Sequence, residues 1–200
     1  MNIAVAGRAR TGKDTVGRYL VESRGYRRVA FADALKEAAW KINPAVFATG
    51  EGDGFGAYTV DLQEAVTDLG WESAKDSVPE VRRFLQELGA AMRAVDPEIW
   101  IRAALKKVDE ANETGVPCVI TDVRYLNELS VLKGLRWHTV HIDRPDVPQL
   151  VHESEGAIDA GDTHFMIRNT GTVDDLHRQV DIILADVDAI ESARHYARSL

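Results

Sequence analysis

The sequence predicts an α/β fold: a parallel five-stranded sheet flanked by helices. Three observations carry this. Short, near-continuous apolar runs alternate along the chain with stretches of helical periodicity, the pattern of a parallel sheet covered on both faces. The first run, Ile3 to Ala6, stops at Gly7 and leads into a helical stretch from Lys13, so a strand, a glycine turn and a helix follow one another directly. The composition, 45% hydrophobic and 28% charged over 200 residues, is that of an ordinary globular chain that can bury a sizeable core.

Each element follows in order. Lys13 to Arg24 places Val16, Tyr19, Leu20 and Ser23 at helical spacing, and Gly25 ends it. Tyr26 to Ala32 reads as the second strand. Ala34 to Ile42 is helical and stops before Pro44. Ala48 to Tyr58 is Gly-rich and acidic and reads as a mobile loop within the domain. Asp61 to Leu69 is a short helix. Pro79 to Arg93 is a stronger one, with Val81, Phe84, Leu85, Leu88 and Met92 on one face. Ile99 to Ala111 is another helix, Val116 to Thr121 the third strand and Trp137 to Ile142 the fourth. Met166 to Ile167 is the fifth strand, before a helix from Val173 through Asp186. The expected organisation is one domain over residues 1–200, with an insertion at about 37–112 and a lid at about 144–165.

Charge and cysteine content exclude several classes. Twenty-four basic against 32 acidic side chains leave a net charge of −8, which argues against binding duplex DNA or RNA. No apolar run approaches the ~20 residues of a membrane span, and Met1 to Ala6 lacks the basic start of a signal peptide. With one cysteine, Cys118, an intramolecular disulfide and a multi-cysteine zinc site are impossible, and the expected location is a reducing cytoplasm.

Ligands in parallel α/β sheets bind at the carboxyl ends of the strands. After the first strand stands Gly7-Arg8-Ala9-Arg10-Thr11-Gly12-Lys13-Asp14-Thr15, a G-x-x-x-x-G-K loop. Its glycines let successive backbone N–H groups turn toward phosphate oxygens, and the following helix N-terminus adds positive potential. Lys13 would reach the β- and γ-phosphates. Asp14 replaces the usual Ser or Thr and would hold Mg²⁺ through water or bond a neighbouring loop. Thr15 suits an α-phosphate oxygen. Asp122, at the end of the third strand, suits orientation of Mg²⁺ and its waters. Arg124 could meet a phosphate or form a surface ion pair, and Asn127 and Glu128 could be helix caps only. Asp33 sits where a helix N-cap would, or faces the phosphate loop across a cleft and contacts an acceptor. Arg82, Gln86 and Arg93 fall within roughly 40° of one another on a helix that runs through Gly89, and paired arginines bind a monophosphate well. His138 and His141 are three apart in a strand and face opposite sides, so they make no metal pair. Of the four tryptophans, Trp100 is the base-stacking candidate, and Trp40, Trp71 and Trp137 read as packing.

Taken together, Gly12-Lys13-Asp14-Thr15, Phe31 to Lys36, Arg82-x-x-Leu85-Gln86-x-x-Gly89, Thr121-Asp122-Val123-Arg124 with Asn127-Glu128, Arg144-Pro145, His152-x-Ser154-Glu155 and Asn169-x-Gly171 resemble the bacteriophage-type deoxynucleoside monophosphate kinases. The resemblance runs from Ile3 to about Leu184. Ala34 stands where that pattern has Pro, and Ala90-Ala91 where it has Thr-Glu. The resemblance implies a P-loop nucleoside-monophosphate-kinase-like fold with a helical monophosphate-binding insertion and a lid. It implies transfer of the ATP γ-phosphoryl group, with Mg²⁺, to a deoxynucleoside monophosphate, in a host cytoplasm if phage-encoded. Combined with the residue reading, it assigns ATP to Gly7, Arg8, Ala9, Arg10, Thr11, Gly12, Lys13, Asp14, Thr15 and Arg144. The acceptor falls to Asp33, Lys36, Arg82, Gln86, Trp100, Arg124, Glu128 and Glu155, the metal to Asp14 and Asp122, and catalytic charge to Lys13, Arg82, Arg93 and Arg124. Expected partners are small molecules, with no nucleic acid and no membrane; a homodimer is one expectation for the oligomeric state. Two readings stay open beside it: a same-fold kinase for dephospho-coenzyme A or phosphomevalonate, and a nucleotide-binding switch or ATPase.

Overall fold

A computed structural model describes residues 1–48, 58–147 and 158–199. The chain divides into two compact units: Met1–Ala30 with Leu105–Leu200, and Phe31–Ala104.

The first unit holds the expected parallel sheet. Its strands are β1 (Ile3–Ala6), β2 (Arg27–Val29), β5 (Cys118–Val123), β6 (His138–Asp143) and β7 (Phe165–Arg168), in the spatial order β2-β5-β1-β6-β7. Every pairing is parallel. All four residues of β1 are buried, which explains its unbroken apolar run. Ile3 aligns with Val119 on one side and His138 on the other, and the register on the β5 side shifts between Ala4 and Ala6. The chain leaves β1 toward β2 and later crosses to β6 on the opposite side. The carboxyl end of β1 is therefore the topological switch point, where such sheets bind ligands.

Helices α1 (Lys13–Arg24) and α7 (Val173–Arg198) pack on one face of this sheet. Ile3, Val5, Val140, Ile142 and Ile167 of the strands meet Val16 and Leu20 of α1 and Leu176, Val180, Ile183 and Val187 of α7. Each such side chain contributes about 1.5–3 kcal/mol on full burial. The two helices are also joined by polar contacts: Tyr19 stacks on His177 at 4.0 Å and donates its hydroxyl to Asp181 at 2.8 Å, and Arg24 closes on Asp181 at 2.6 Å. Thr172 caps α7, its hydroxyl accepting from the Asp175 N–H while the Asp175 carboxylate accepts from the Thr172 N–H. Helix α6 (Leu126–Gly134), a 3-10 turn at Ala160–Asp162 and the part of the helix Ile99–Glu113 from Leu105 onward also belong to this unit. Cys118 is buried, and burial pushes its thiol pKa up, so it is no nucleophile near neutral pH.

The second unit is mainly helical: α2 (Phe31–Ile42), α3 (Leu62–Ser77), α4 (Pro79–Val95) and the start of α5 (Ile99–Glu113). Its core joins Ala39, Leu62, Val66, Val81 and Leu85 with Val46 of a hairpin. That hairpin, β3 (Ala45–Ala48) paired antiparallel with β4 (Tyr58–Asp61), flanks the Gly-rich segment, whose residues 49–57 lie outside the described residues.

Several boundaries differ from the sequence expectation. The second strand is only Arg27–Val29, because Phe31 turns into the core as the first residue of α2. Asp33 therefore lies in the first turn of α2 and is not its N-cap. α3 continues to Ser77 across a break at Gly70 (φ 74°, ψ 160°). α7 runs to Arg198, past the end of its buried apolar stripe at Val187.

Candidate active site

The phosphate loop leaves the carboxyl end of β1 and enters α1, as the sequence predicts. Its shape requires glycine at both ends. Gly7 has φ 140°, and a Cβ there would stand 2.5 Å from the Ile142 carbonyl oxygen. Gly12, the α1 N-cap, has φ 108°, and its Cβ would stand 2.7 Å from Asn169 Nδ2. Between them, Thr11 is fully buried; its hydroxyl donates to the Arg8 carbonyl at 2.8 Å, and its own carbonyl accepts from Asn169 Nδ2 at 2.8 Å. Asn169 is in turn held by its backbone N–H on the Asp143 carbonyl at 2.7 Å. The loop is thus clamped from β6 and from the end of β7.

The basic residues of the loop are disposed differently. Lys13 Nζ donates to the carbonyls of Gly7 at 2.6 Å and Arg8 at 2.5 Å. Arg8 reaches the end of β6, with Nη2 3.6 Å from the Asp143 carboxylate and 3.3 Å from the Arg144 carbonyl. Arg10 is exposed and left-handed, with φ 63°. Ala9 and Thr15 are partly buried, and Asp14 is exposed in the first turn of α1.

At the end of β5, Asp122 is partly buried and Arg124 exposed. Glu128 is only 6% exposed, and its Oε2 accepts from the backbone N–H groups of Arg124 at 2.8 Å and Tyr125 at 3.1 Å. The capping alternative for Glu128 is therefore realised: its carboxylate fixes the turn into α6 and with it the backbone of Arg124. Arg144 pairs with Asp146 at 3.3 Å. Glu155, with the rest of residues 148–157 in the segment 144–165 read as a lid, lies outside the described residues.

Two buried polar atoms lack a hydrogen-bond partner among the described residues, Thr121 Oγ1 and His141 Nδ1. They sit on β5 and β6, the strands flanking β1. Burial lowers the His141 pKa, an effect that Asp143 and Asp159 oppose and that Arg8 and Lys13 reinforce. Among the described residues no group of three or more His, Cys, Asp or Glu side chains is gathered to hold a metal. The carboxylates of Asp122, partly buried at the end of β5, and Asp14, exposed in the first turn of α1, are of the donor type Mg²⁺ takes, one or two per ion, with water and phosphate oxygens completing its shell.

In the second unit, α4 runs unbroken through Gly89, as the arginine stripe requires. Arg82 is exposed and pairs with Asp76 at 2.6 Å, and Gln86 is exposed. Arg93 is partly buried with its guanidinium over Gly89. Arg83 is held by Glu80 and Glu87. Lys36, one turn along α2 from Asp33, sits 5.7 Å from the Trp71 ring centroid and 3.2 Å from Glu72 Oε1. Trp100 departs from its expected role as a stacking platform: it is 7% exposed and its Nε1 donates to the Gly89 carbonyl at 3.4 Å, so its ring packs in the core.

Sequence reasoning assigned no role to Asn169 or Asp143, which brace the loop. Both stand at strand ends, and Asn169 also opens the Asn169-x-Gly171 motif; these are the signals that could have marked them.

The sequence profile described as deoxynucleotide monophosphate kinase matches residues 45–180. The chain belongs to that family. A relative, the uncharacterized protein ORF77 of Ictalurid herpesvirus 1 (strain Auburn), is 31% identical over 162 residues. The matched region covers 78% of this chain and 58% of that protein, so the chain spans well under two thirds of the curated relative it matches. The family match takes in β5 to β7 and the arginine helix of the second unit. No helix among the described residues is long and apolar enough to cross a membrane.

Proposed function

We propose that this member of the deoxynucleotide monophosphate kinase family transfers the γ-phosphoryl group of ATP to a deoxynucleoside monophosphate, releasing ADP and the deoxynucleoside diphosphate. The observation that carries the reading is the clamped glycine loop at the switch point of the sheet, in a chain with that family match. The donor phosphates lie on the loop N–H groups and the α1 N-terminus, with Lys13 swinging from the Gly7 and Arg8 carbonyls onto the β- and γ-phosphates. Asp122, with Asp14, orients Mg²⁺, which when bound neutralises charge on the donor phosphates. Arg124, its backbone fixed by Glu128, adds charge toward the transferring group.

The acceptor falls to the second unit. Arg82, Gln86 and Arg93 present a guanidinium–amide–guanidinium stripe to its phosphate, and Asp33 and Lys36 orient it. An acceptor monophosphate is largely dianionic near neutral pH, with a second pKa of about 6, so the transfer needs no strong general base. Asp33 is an orienting group.

The test is a panel of deoxy- and ribonucleoside monophosphates with ATP and Mg²⁺, read as diphosphate formation, with dephospho-coenzyme A in parallel. Diphosphate from at least one deoxynucleotide supports the reading. Turnover of dephospho-coenzyme A alone, abolished in Asp33→Asn, would overturn it, because an alcohol acceptor needs a base worth about 10²–10⁴ in rate.

A further inference from the structure

Helix α3 breaks at Gly70, and its second segment carries Trp71, Glu72, Lys75 and Asp76. Two lysines bridge the Glu72 carboxylate: Lys36 Nζ of α2 stands 3.2 Å from Oε1, and Lys75 Nζ 2.5 Å from Oε2. The Lys75 hydrogen bond, opposed by burial and aided by Lys36, holds the Glu72 carboxyl below its usual pKa. The exposures of these side chains run against their usual order. Lys36 and Lys75 are 24% and 21% exposed, whereas Glu72 is 75% exposed. Lysine ordinarily carries its ammonium out into water. Here Lys36 Nζ lies 5.7 Å from the centroid of the Trp71 ring, which itself packs on the core of this unit. Two cations are seated against the body of the unit, and one carboxylate rides on top of them.

Asp76, one turn further along α3, covers Arg82 of α4 at 2.6 Å. Cations of α2, α3 and α4 are thus each met by a carboxylate of α3. Lys36, Lys75 and Arg82 against Glu72 and Asp76 leave one positive charge in excess. The two ammonium groups are spaced to hold two oxygens of one small anion, since they hold the two oxygens of Glu72. A phosphate monoester presents such oxygens and carries about 1.5–2 negative charges near neutral pH, against one for a carboxylate. A singly charged anion gains little by replacing Glu72, so the exchange favours a dianion.

We propose that Glu72 is a built-in stand-in for the acceptor phosphate: it holds Lys36 and Lys75 in place until the monophosphate displaces it, and Lys75 is an acceptor-binding residue. The enzyme thereby carries an acidic side chain that lowers affinity for its own substrate. This rests on the kinase reading above for the identity of the acceptor.

The test uses Glu72→Gln, which keeps the shape without the charge, and Lys75→Met, which keeps the apolar stem. Glu64→Gln, at an exposed position in the first turn of α3, is the charge-matched control. Each protein is titrated with dAMP, dCMP, dGMP and dTMP and with ATP·Mg²⁺, then assayed for kcat and KM. Glu72→Gln should bind the acceptor about three- to tenfold more tightly, the size of the exposed ion pairs it no longer has to give up. KM for the acceptor should fall in step, with kcat and the Kd for ATP within twofold of the parent. Lys75→Met should weaken acceptor binding roughly ten- to a hundredfold. In the Lys75→Met background the gain from Glu72→Gln should shrink, because the two side chains act on one another. Acceptor affinity in Glu72→Gln that is weaker than the parent's, or within twofold of it, overturns the proposal. Equal tightening toward ATP, or in Glu64→Gln, also overturns it, by assigning the gain to net charge. Lys75→Met that binds the acceptor within twofold of the parent removes Lys75 from the site. A parent that binds deoxynucleoside monophosphates but phosphorylates none defeats the kinase reading while Glu72→Gln still decides the exchange. A parent that binds none of the four overturns both.

Discussion

On the proposed function, the two units prepare for phosphate in opposite ways. In the first, the loop is a backbone device. Gly7 and Gly12 are sterically compelled, Thr11 is fully buried, and Asn169 clamps the Thr11 carbonyl. In the second, the candidate groups are long side chains on helix surfaces. Arg82 is exposed and rests on a still more exposed Asp76. Exposed ion pairs are worth about 0–1 kcal/mol, so Arg82 can leave Asp76 for a phosphate at almost no cost. In that proposal a donor common to many enzymes would be met by rigid backbone geometry, and an acceptor that must be selected by side chains held loosely enough to exchange partners.

The contrast breaks most visibly at Lys13. Lys13→Ala should lower kcat by at least about 10²–10³, or some 2.7–4 kcal/mol of transition-state stabilisation, while circular dichroism and the unfolding midpoint stay near the parent's. Near-normal turnover in that folded variant would remove the loop from the chemistry. Next is Arg82→Ala. It should cut kcat/KM for the acceptor roughly ten- to a hundredfold, about 1.5–3 kcal/mol, and leave ATP binding within twofold. Stability should move by less than about 0.5 kcal/mol, as for other surface changes. A large loss of stability there would show that the arginine helix is as rigidly built as the loop.

Asn169→Ala sharpens the comparison from the other side. It removes a buried donor to Thr11, and urea unfolding should show a loss of about 1–3 kcal/mol together with weaker ATP binding. Stability loss with unchanged ATP affinity would make the clamp purely structural. The smallest effect concerns pH. Burial lowers the His141 pKa in the folded protein, so the unfolded chain takes up its proton first. Stability is then full above about pH 6.5 and falls as the pH drops toward the folded pKa, below which the loss is complete. His141→Asn should flatten that part of the urea-midpoint profile between pH 7.5 and 5.5, and an unchanged slope would assign it to other groups.

What the sequence made legible follows the same division. β1, the loop and α1 could be read directly, since an apolar run, two obligatory glycines and a helical stripe each leave a local mark. α2 was misplaced at its start because Phe31 is apolar whether it ends a strand or begins a helix. The β3–β4 hairpin left no period-2 pattern long enough to see, with strands of four residues and Phe47 61% exposed on the outer side. The far end of α7 was invisible because no apolar stripe continues beyond Val187; its contact with the sheet there is polar, Glu191 on the buried His138 at 3.0 Å. In the site, Glu128 was readable as a cap from its place at the start of a helix. The bond from Asn169 to Thr11 spans 158 residues, and no local pattern encodes it.

That long-range bond also sets a schedule for synthesis. β1 is made first, but its two sheet partners arrive more than a hundred residues later, at Cys118 and His138. Asn169, which fastens the loop, follows later still. On the ribosome the glycine loop can therefore be neither paired nor clamped until most of the chain has been translated. The helical second unit, whose contacts lie within Phe31–Ala104, can collect its core while the first strand is still waiting. The part of the molecule that is written first in the sequence is among the last to take its working form.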